Sequence, residues 1–179
     1  MNALDLKLFY WLNSFSGING WLDNIIIFAG KYTYLSLIVI VALFLFLVFG
    51  KDRRRNILMV IEALAAGIAS RFVVTEIIRY FYDKPRPFEV LSDIHQLLVR
   101  APGGSFPSGH AAFFFALATT VFLYRSKWSI LFLIAAFTIG VARVTGSIHW
   151  PSDILAGAVV GILTSVVVNL ISKKFKPEK

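Results

Sequence analysis

The sequence predicts an all-α membrane protein with about five transmembrane helices and an N-terminal interfacial helix. Hydrophobic residues make up 58% of the 179 residues, charged residues make up 16%, and the mean hydropathy is +0.74. A soluble domain of this length cannot keep so much apolar surface out of water. Long apolar runs alternate with short charged loops, which is typical of helical membrane spans. No linker divides the chain, so residues 1–179 are predicted to form a single integral membrane domain.

The N-terminal segment is predicted to lie at the membrane surface. Residues Ala3 to Phe15 place apolar side chains at helical spacing with polar side chains among them, which is typical of an interfacial helix. The first clear span runs from about Tyr32 to Phe49, and it extends back through Ile25–Ile27 if Lys31 reaches the interface with its ammonium group. The further spans are predicted at about Ile57–Ile78, His110–Tyr124, Trp128–Thr145 and Ile154–Ile171.

The basic residues predict the orientation of the chain. Clusters at 51–55, 125–127 and 173–179 hold more than half of the 18 lysines and arginines, and they fall on one side of a five-span chain. Because positively charged loops stay in the cytoplasm, this side is predicted to be cytoplasmic. The polar segments 79–109 and 146–153 then meet on the outer face of the cell membrane. The net charge of +8 accordingly indicates membrane lipids as partners, and no nucleic acid is expected.

Three polar stretches on the predicted outer face carry residues suited to phosphate chemistry. The stretches are 79–87, 107–110 and 143–153. Their arginines offer forked donors that match phosphate oxygens. Ser108 and Gly109 precede a predicted helix, whose N–H groups and dipole favour an anion. If Pro151 begins the last helix, Asp153 lies in its first turn and reaches back to His149, which fixes the ring tautomer and leaves the other nitrogen free to attack.

The spacing of these residues resembles the signature of a known family. That family is the type 2 phosphatidic acid phosphatase superfamily, whose motifs read K-x6-R-P, then P-S-G-H, then S-R-x5-H-x3-D. The matching residues here are Arg79-x6-Arg86-Pro87, Pro107-Ser108-Gly109-His110 and Arg143-x5-His149-x3-Asp153. Two positions depart from the pattern, because Arg79 replaces the usual lysine and Ala142 replaces the usual serine. Within the family, the short outer loop looks most like bacterial undecaprenyl pyrophosphate phosphatases of the bacitracin-resistance type.

The resemblance implies a fold, a mechanism and a set of site residues. The implied fold is a six-helix bundle, which the vanadate-dependent haloperoxidases share. His149 is implied as the nucleophile that becomes phosphohistidine, Asp153 as the residue that orients it, and His110 as the acid that protonates the leaving group. No metal and no cofactor are expected, since arginines supply the positive charge. The implied ligands of the phosphoryl oxygens are Arg79, Arg86, Ser108, Gly109 and Arg143.

Other polar residues receive separate interpretations. The candidate substrate contacts in the outer segment are Lys84, His95 and Arg100. The second span contains three charged residues, Glu62, Arg71 and Glu76. A charge at the centre of a span costs about 2.5–3.5 kcal/mol on insertion scales. Glu76 lies one turn from Arg79 and is expected to hold it in place, whereas Arg71 has no predicted partner.

Residues and resemblance together predict an outward-facing phosphatase that acts on a lipid phosphate. The expected substrate is undecaprenyl pyrophosphate, because the outer loop is short and Lys84 and Arg100 add cations for a second phosphate. Phosphatidylglycerol phosphate and phosphatidic acid are the alternative substrates. A non-catalytic lipid-phosphate binding or transport protein is the alternative from another class, and the intact histidine–aspartate pair argues against it. The oligomeric state is not predicted.

Overall fold

The regular structure of this chain is helical wherever it is described. The computed structural model describes residues 2–31 and 52–174, and no β-strand occurs within these ranges. The helices, numbered in chain order, are α1 Ala3–Asn13, α2 Gly20–Gly30, α3 Arg53–Phe81, α4 Pro87–Val90, α5 Gly109–Thr145 and α6 Pro151–Lys174. Three of them (α3, α5 and α6) are long and apolar enough to cross a membrane. The predicted all-α membrane class is confirmed, whereas the predicted span Tyr32–Phe49 lies outside the described residues.

The apolar residues 25–27 belong to a separate helix. Asn19 caps α2, because its side chain accepts a hydrogen bond from the Leu22 N–H at 2.9 Å. The helix ends at Gly30, and Lys31 has extended backbone angles of φ −78° and ψ 135°. The expected extension of the first span back through residues 25–27 is therefore wrong, since the helix does not continue through Lys31.

Helix α5 is interrupted at Arg125, where the backbone leaves the helical region with φ −145° and ψ 66°. A straight helix of 37 residues would be about 55 Å long. Its two ends nevertheless lie close together, because Arg143 is near enough for its charge to act on His110. The two halves, 109–124 and 126–145, therefore fold back on each other, and the predicted basic turn at 125–127 coincides with the break.

The apolar core lies between α3 and the two halves of α5. Met59 and Ala63 on α3 are fully buried, and Leu117 and Ala136 from the two halves of α5 are at most 1% exposed. These side chains form one contiguous cluster. Contacts of this kind hold α3 in position against the two halves of α5, so the ends of the three segments that lie away from the helix break are on one side of the bundle.

The C-terminal half of α3 contains a stretch of π-helix at Ala69–Val74. Its hydrogen bonds reach five residues back, and both the N–H and the hydroxyl of Thr75 donate to the Ser70 carbonyl. Such π-helical turns are rare and often occur at functional sites, because the extra residue changes which side chains face the neighbouring helices. Here the π-helical turn carries Arg71.

Helix α6 packs through a row of residues spaced four apart. The buried residues of α6 are Asp153, Gly157, Gly161, Ser165 and Asn169. Small residues on one helix face allow two backbones to approach closely. A Cβ on Gly157 would stand 2.5 Å from the Ser108 carbonyl oxygen, and a Cβ on Gly161 would stand 2.8 Å from the Ala116 nitrogen. The two glycines therefore permit the close packing of α6 on the first half of α5.

Glu62, one of the charges predicted within a span, stabilises the end of the bundle where α6 ends and α5 is interrupted. Glu62 is 4% exposed. Its carboxylate accepts hydrogen bonds from the side chains of Tyr124, Asn169 and Ser172. Hydrogen bonds of this kind satisfy a polar group that the membrane cannot solvate. Glu62 thereby links α3 to the break in α5 and to the last turns of α6.

Helix α1 contacts residues 145–152, which comprise the last residue of α5, the loop 146–150 and the first two residues of α6. This segment is called the loop 145–152 below. The buried residues of α1 are Asp5, Phe9 and Asn13, which are spaced four apart. Asn13 Nδ2 donates to the Thr145 carbonyl at 3.0 Å. The Phe9 and Trp150 rings pack with their centroids 5.2 Å apart. Asp5 Oδ1 accepts the Ser152 N–H at 2.8 Å, so the helix holds the loop along its whole length.

The exposed face of α1 is the apolar one. It comprises Leu4, Leu8 and Trp11, which are 39–61% exposed. In a soluble protein this face would turn inward, and the acidic and amide residues would turn outward. The inverted arrangement suits a helix whose apolar side contacts lipid and whose polar side contacts the protein.

The close packing at Gly161 gives a testable expectation for stability. Gly161→Leu should lower the thermal unfolding midpoint in detergent, because the neighbouring atoms are backbone and cannot yield. Overpacking of this kind costs about 1–3 kcal/mol, which exceeds the roughly 0.5–1 kcal/mol gained by replacing a helical glycine. Val159→Leu, on the exposed side of α6, should leave the midpoint nearly unchanged. A Gly161→Leu protein as stable as its parent would contradict the packing.

Candidate active site

The three polar stretches singled out in the sequence meet where α5 and α6 begin. The Ser108 N–H donates to the Asp153 carbonyl at 2.9 Å, which joins the first turns of the two helices. Arg86 Nη1 donates to the Ile148 carbonyl at 2.7 Å, which joins the segment before α4 to the loop between α5 and α6. Residues from three distant parts of the sequence therefore form one site.

A tight turn after α5 carries His149 into this site. Ser147 adopts a positive φ of 68°, which costs about 1–2 kcal/mol for a residue with a Cβ. Its hydroxyl accepts a hydrogen bond from Asn13 Nδ2 at 2.8 Å and donates to the His95 carbonyl at 3.0 Å. These contacts offset the cost of the turn and hold the loop so that His149 points inward.

His149 and Asp153 lie side by side at the centre of the site. They are 1% and 0% exposed. His149 Nδ1 is 3.5 Å from Asp153 Oδ2, and the same oxygen accepts the Trp150 N–H at 2.8 Å. A carboxylate facing Nδ1 favours the tautomer that carries its proton there, so Nε2 keeps its lone pair. A separation of 3.5 Å is longer than a hydrogen bond, and such contacts tighten when substrate binds.

The surroundings of His149 keep its ring neutral. Burial lowers the pKa of His149 well below its usual range, and the positive charges of Arg143, Arg86 and Arg79 lower it further. A lowered pKa means that the imidazole carries no positive charge at neutral pH. Only the neutral ring has a lone pair for attack on phosphorus. The cations that attract a phosphate therefore also keep the histidine in its reactive form.

His110 lies at the start of α5 beside Arg71, which projects from the π-helical turn of α3. His110 is 6% exposed, and Arg71 Nη1 lies 3.4 Å from its Nδ1. A Cβ on Gly109 would stand 2.7 Å from the same Nη1, so this approach requires glycine at position 109. The sequence had left Arg71 without a predicted partner, and the structure places it against the second histidine of the site.

Arg79 is held from two directions. Its Nη1 lies 2.9 Å from Glu76 Oε1, which confirms the expectation that Glu76 holds Arg79. Its Nη2 donates to the Pro107 carbonyl at 2.9 Å. The Nε atoms of Arg79 and Arg86 are buried and have no hydrogen-bond partner within the described residues. These N–H groups are donors that a phosphate oxygen can satisfy.

Arg143 comes from the last turn of α5 and is 3% exposed. Its Nη1 donates at 2.9 Å to the carbonyl of Gly30, and Gly30 is the last residue of α2. A guanidinium group has five N–H donors in a planar fork, and the Gly30 carbonyl accepts from one of its nitrogens. Arg143 is also close enough to both His110 and His149 to act on them electrostatically.

A cavity of about 480 Å³ opens beside these arginines. Its charged lining residues are Glu76, Arg79, Asp83, Arg86 and Arg100. Burial and the charges of Arg100 and Arg79 lower the pKa of Arg86 to about 10. Several cations so close together repel one another, and an anion among them relieves that repulsion. The two histidines are not among the residues that line this cavity.

The first turn of α5 adds backbone donors to the site. Ser108 is the N-cap residue, and its hydroxyl oxygen lies 3.5 Å from the Ala111 nitrogen. The N–H groups of Gly109 and His110 belong to the first turn, where helix N–H groups have no carbonyl partner within the helix. With the positive end of the helix dipole, these groups form the kind of site that binds a phosphate.

Lys84, a candidate substrate contact, is surrounded by protein oxygens. Its Nζ lies 2.9 Å from Asp153 Oδ1, 2.8 Å from Ser152 Oγ and 3.1 Å from Asp5 Oδ2. An ammonium group has three protons, and each of these acceptors takes one. Lys84 does not line the cavity that holds Arg100. The structure therefore separates two residues that the sequence grouped together.

His95, the third candidate substrate contact, is joined to the loop after α5 by its backbone. Its carbonyl accepts hydrogen bonds from Asn13 and Ser147, and its N–H donates to Asn13. Its exposed ring lies next to Gly17, where an added Cβ would stand 3.1 Å from Nδ1. His95 is not among the residues that line the cavity.

No cluster of metal ligands accompanies the site within residues 2–31 and 52–174. No three side chains of the metal-binding types are grouped closely enough there to hold an ion. Two carboxylates at the site face cations, because Glu76 contacts Arg79 and Asp153 contacts Lys84. A reaction without metal or cofactor remains a prediction from the sequence.

Comparison with known proteins identifies the family. The PAP2 superfamily matches residues 60–177, which include all three motifs. The bacitracin transport permease protein BcrC of Bacillus licheniformis is 28% identical over 167 residues, covering 93% of this chain and 80% of that protein. The undecaprenyl-diphosphatase BcrC of Bacillus subtilis (strain 168) is 27% identical over 175 residues, covering 97% and 87%.

A solved structure gives the same indication for the fold. The crystal structure of Aquifex aeolicus LpxE matches with a TM-score of 0.73 and 26% identity, covering 94% of this chain and 96% of that one. The match in fold extends over the whole bundle, and the match in sequence extends over the residues that meet at its polar end. The chain therefore belongs to the PAP2 superfamily, the family that its three motifs resemble.

Proposed function

We propose that this chain is a membrane phosphatase that hydrolyses undecaprenyl pyrophosphate to undecaprenyl phosphate and phosphate. The observation that carries the proposal is the buried pair of His149 and Asp153, with Nδ1 and Oδ2 3.5 Å apart, beside three arginines. A buried neutral imidazole oriented by a carboxylate is suited to nucleophilic attack. The name of the Bacillus subtilis relative, an undecaprenyl-diphosphatase, supports the choice of substrate.

The first chemical step transfers the terminal phosphoryl group to His149. Nε2 attacks the phosphorus, and a P–N bond forms while the bond from phosphorus to the bridging oxygen breaks. His110, protonated at the start of this step, gives its proton to the departing oxygen of undecaprenyl phosphate and is left neutral. The oxygens of the transferred group are held by Arg79, Arg86, Ser108, Gly109 and Arg143, and these donors are in place before the charge shifts.

The second step releases phosphate and restores the enzyme. A water molecule attacks the phosphorus while His110 accepts one of its protons, and the P–N bond breaks. The electron pair of that bond returns to Nε2, so His149 is again neutral. Asp153 stabilises the positive ring of the phosphohistidine between the two steps, because its carboxylate faces the Nδ1 proton.

The cavity supports a diphosphate as the substrate. Arg100 lines it together with Arg79 and Arg86, so a third cation stands beside the motif arginines. A diphosphate has a second charged group that this cation can bind, whereas a phosphate monoester has none there. Arg100 is the residue proposed to bind the second phosphate, because Lys84 faces Asp153 instead.

The orientation is part of the same proposal. Helix α3, the two halves of α5 and α6 account for four passes, and the predicted span 32–49 supplies a fifth. The site then lies on the outer face of the cell membrane. The clusters of basic residues at the opposite ends of these passes support this orientation.

Two alternatives remain distinct from the proposal. The first is a phosphatase for phosphatidylglycerol phosphate or phosphatidic acid, which the same site chemistry can hydrolyse. The second is a lipid-phosphate binding or transport protein, a class suggested by the name of the Bacillus licheniformis relative. Binding alone does not need a buried histidine oriented by a carboxylate, so the site favours catalysis.

The orientation can be tested with single cysteines, since the chain has none of its own. Val99 is 96% exposed in the outer loop, and Arg54 is exposed at the start of α3. A membrane-impermeant maleimide applied to intact cells should label Val99→Cys and spare Arg54→Cys. Both should react after detergent solubilisation, which controls for reactivity. Labelling of position 54 alone on intact cells would reverse the orientation.

The nucleophile can be tested by substitution and trapping. His149→Ala should abolish turnover and the acid-quenched phosphoenzyme, because the proposed P–N bond forms at Nε2 of His149. His110→Ala should slow turnover by about 10²–10⁴-fold, the usual effect of losing a general acid. Thermal unfolding midpoints close to that of the parent would show that both variants are folded. Near-normal turnover by His149→Ala would rule out the mechanism.

The substrate can be tested by comparing kcat/KM in detergent. Undecaprenyl pyrophosphate should give a higher value than phosphatidylglycerol phosphate or phosphatidic acid. Arg100→Ala should lower the value for the diphosphate by roughly 10–100-fold, as expected for one charge-assisted contact, and change the monoesters less. Arg54→Ala, at the far end of α3, is the matched control. Equal losses on all substrates would remove Arg100 from the argument.

A further inference from the structure

The carboxylate of Asp153 has two oxygens with different partners. Oδ2 faces His149 Nδ1 and accepts the Trp150 N–H. Oδ1 accepts a hydrogen bond from Lys84 Nζ at 2.9 Å. Asp153 is 0% exposed, and the Lys84 side chain is 13% exposed. Lys84 therefore restrains the rotation of the carboxylate and neutralises its charge where water does not reach.

Lys84 is itself held by α1 and by the first turn of α6. Asp5 Oδ2 lies 3.1 Å from its Nζ, and the Ser152 hydroxyl lies 2.8 Å away. The Ser152 hydroxyl donates to Asp5 Oδ2 at 2.6 Å, while the Ser152 N–H donates to Asp5 Oδ1 at 2.8 Å. Every proton of the lysine and of the serine hydroxyl thus has an acceptor. The network is closed, and such networks are rigid.

Two carboxylates occupy the positive end of α6. Asp5 accepts the Ser152 N–H, and Asp153 accepts the Trp150 N–H. The backbone donors that begin α6 are therefore taken by protein, whereas Ser108 and Gly109 at the start of α5 have no such carboxylate described beside them. A phosphate is consequently expected at the start of α5 and not at the start of α6.

We propose that Lys84 and Asp5 are positioning residues for the catalytic pair. Lys84 holds Oδ1 of Asp153 so that Oδ2 faces His149, and Asp5 on α1 holds Lys84. This inference rests on the proposed function, because it acts through the roles of His149 and Asp153. It gives Lys84 a role different from the substrate contact that the sequence predicted.

The proposal makes α1 part of the catalytic apparatus. Asp5, Phe9 and Asn13 hold the loop 145–152 at its end, middle and start, and Asp5 alone also reaches the catalytic carboxylate through Lys84. The opposite face of α1 is apolar and exposed. One face of α1 therefore contacts lipid, and the other face helps to orient His149 through Asp5, Lys84 and Asp153.

The test compares Lys84→Met with the parent on any lipid phosphate that the parent hydrolyses in detergent. Misorientation of the catalytic pair should lower kcat by about 100-fold while KM stays nearly constant. Inhibition by vanadate, which reports the phosphate site, should also change little. Lys84→Arg should recover part of the lost kcat, because it keeps a cation beside Asp153. Lys7→Met, an exposed lysine on α1, is the matched control and should behave like the parent.

Asp5→Asn provides an independent arm, and it keeps the size of the side chain if Lys84→Met fails to fold. It should lower kcat, and the double variant should be no slower than Lys84→Met, because both residues act through one network. A rise in KM for a diphosphate at constant kcat would make Lys84 a phosphate ligand and overturn the proposal. Unchanged kcat and KM in both single variants would overturn it as well. Activity of His149→Ala would instead defeat the proposed function, so the two failures are distinguishable.

Discussion

The site depends on the hydrogen bonds of one buried carboxylate. Asp153 accepts the Trp150 N–H and the Lys84 ammonium with its side chain, and it accepts the Ser108 N–H with its backbone carbonyl. These contacts join the three motifs that the sequence places far apart. A buried charge is tolerated only when its partners are complete, so loss of any partner affects all three motifs together.

The requirement that buried charges have hydrogen-bond partners also explains how cations are accommodated at the polar end of an apolar bundle. Arg79, Arg86 and Arg143 each donate to a backbone carbonyl, of Pro107, Ile148 and Gly30 respectively. Such carbonyls remove part of the desolvation cost without removing the positive charge. The charge remains available to a phosphate and keeps His149 neutral. In the proposed mechanism, phosphate binding and the activation of His149 are consequently two results of one arrangement.

Local spacing made much of the site predictable from the sequence. Asp153 lies four residues after His149 across the start of a helix, and Glu76 lies one turn before Arg79, so short-range geometry determines both contacts. The partners of Lys84 were not predictable in this way, because Asp153 is 69 residues away and Asp5 is 79 residues away. A helical pattern in a sequence indicates which residues share a face, but it does not indicate which face packs against protein.

The first and last helices illustrate that limit. The pattern of α1 shows an apolar face, and in a membrane that face contacts lipid, so two of the three buried residues, Asp5 and Asn13, are polar. The pattern of α6 reads as uniformly apolar, and its packing face is instead defined by small residues spaced four apart. The break in α5 was visible as a basic turn, whereas the π-helical turn of α3 has no recognisable signal in the sequence.

The contact between Asp5 and Ser152 joins residues 147 positions apart. During synthesis, α1 is made before every other described helix. Its partner Ser152, in the first turn of α6, is made 147 residues after Asp5. Contacts between such distant residues form late, because the intervening chain must first be arranged. Arg79 and Arg86 are therefore synthesised well before the contact that joins α1 to the first turn of α6 can form. The docking of α1 on the first turn of α6 is consequently expected among the last contacts to form among the described helices.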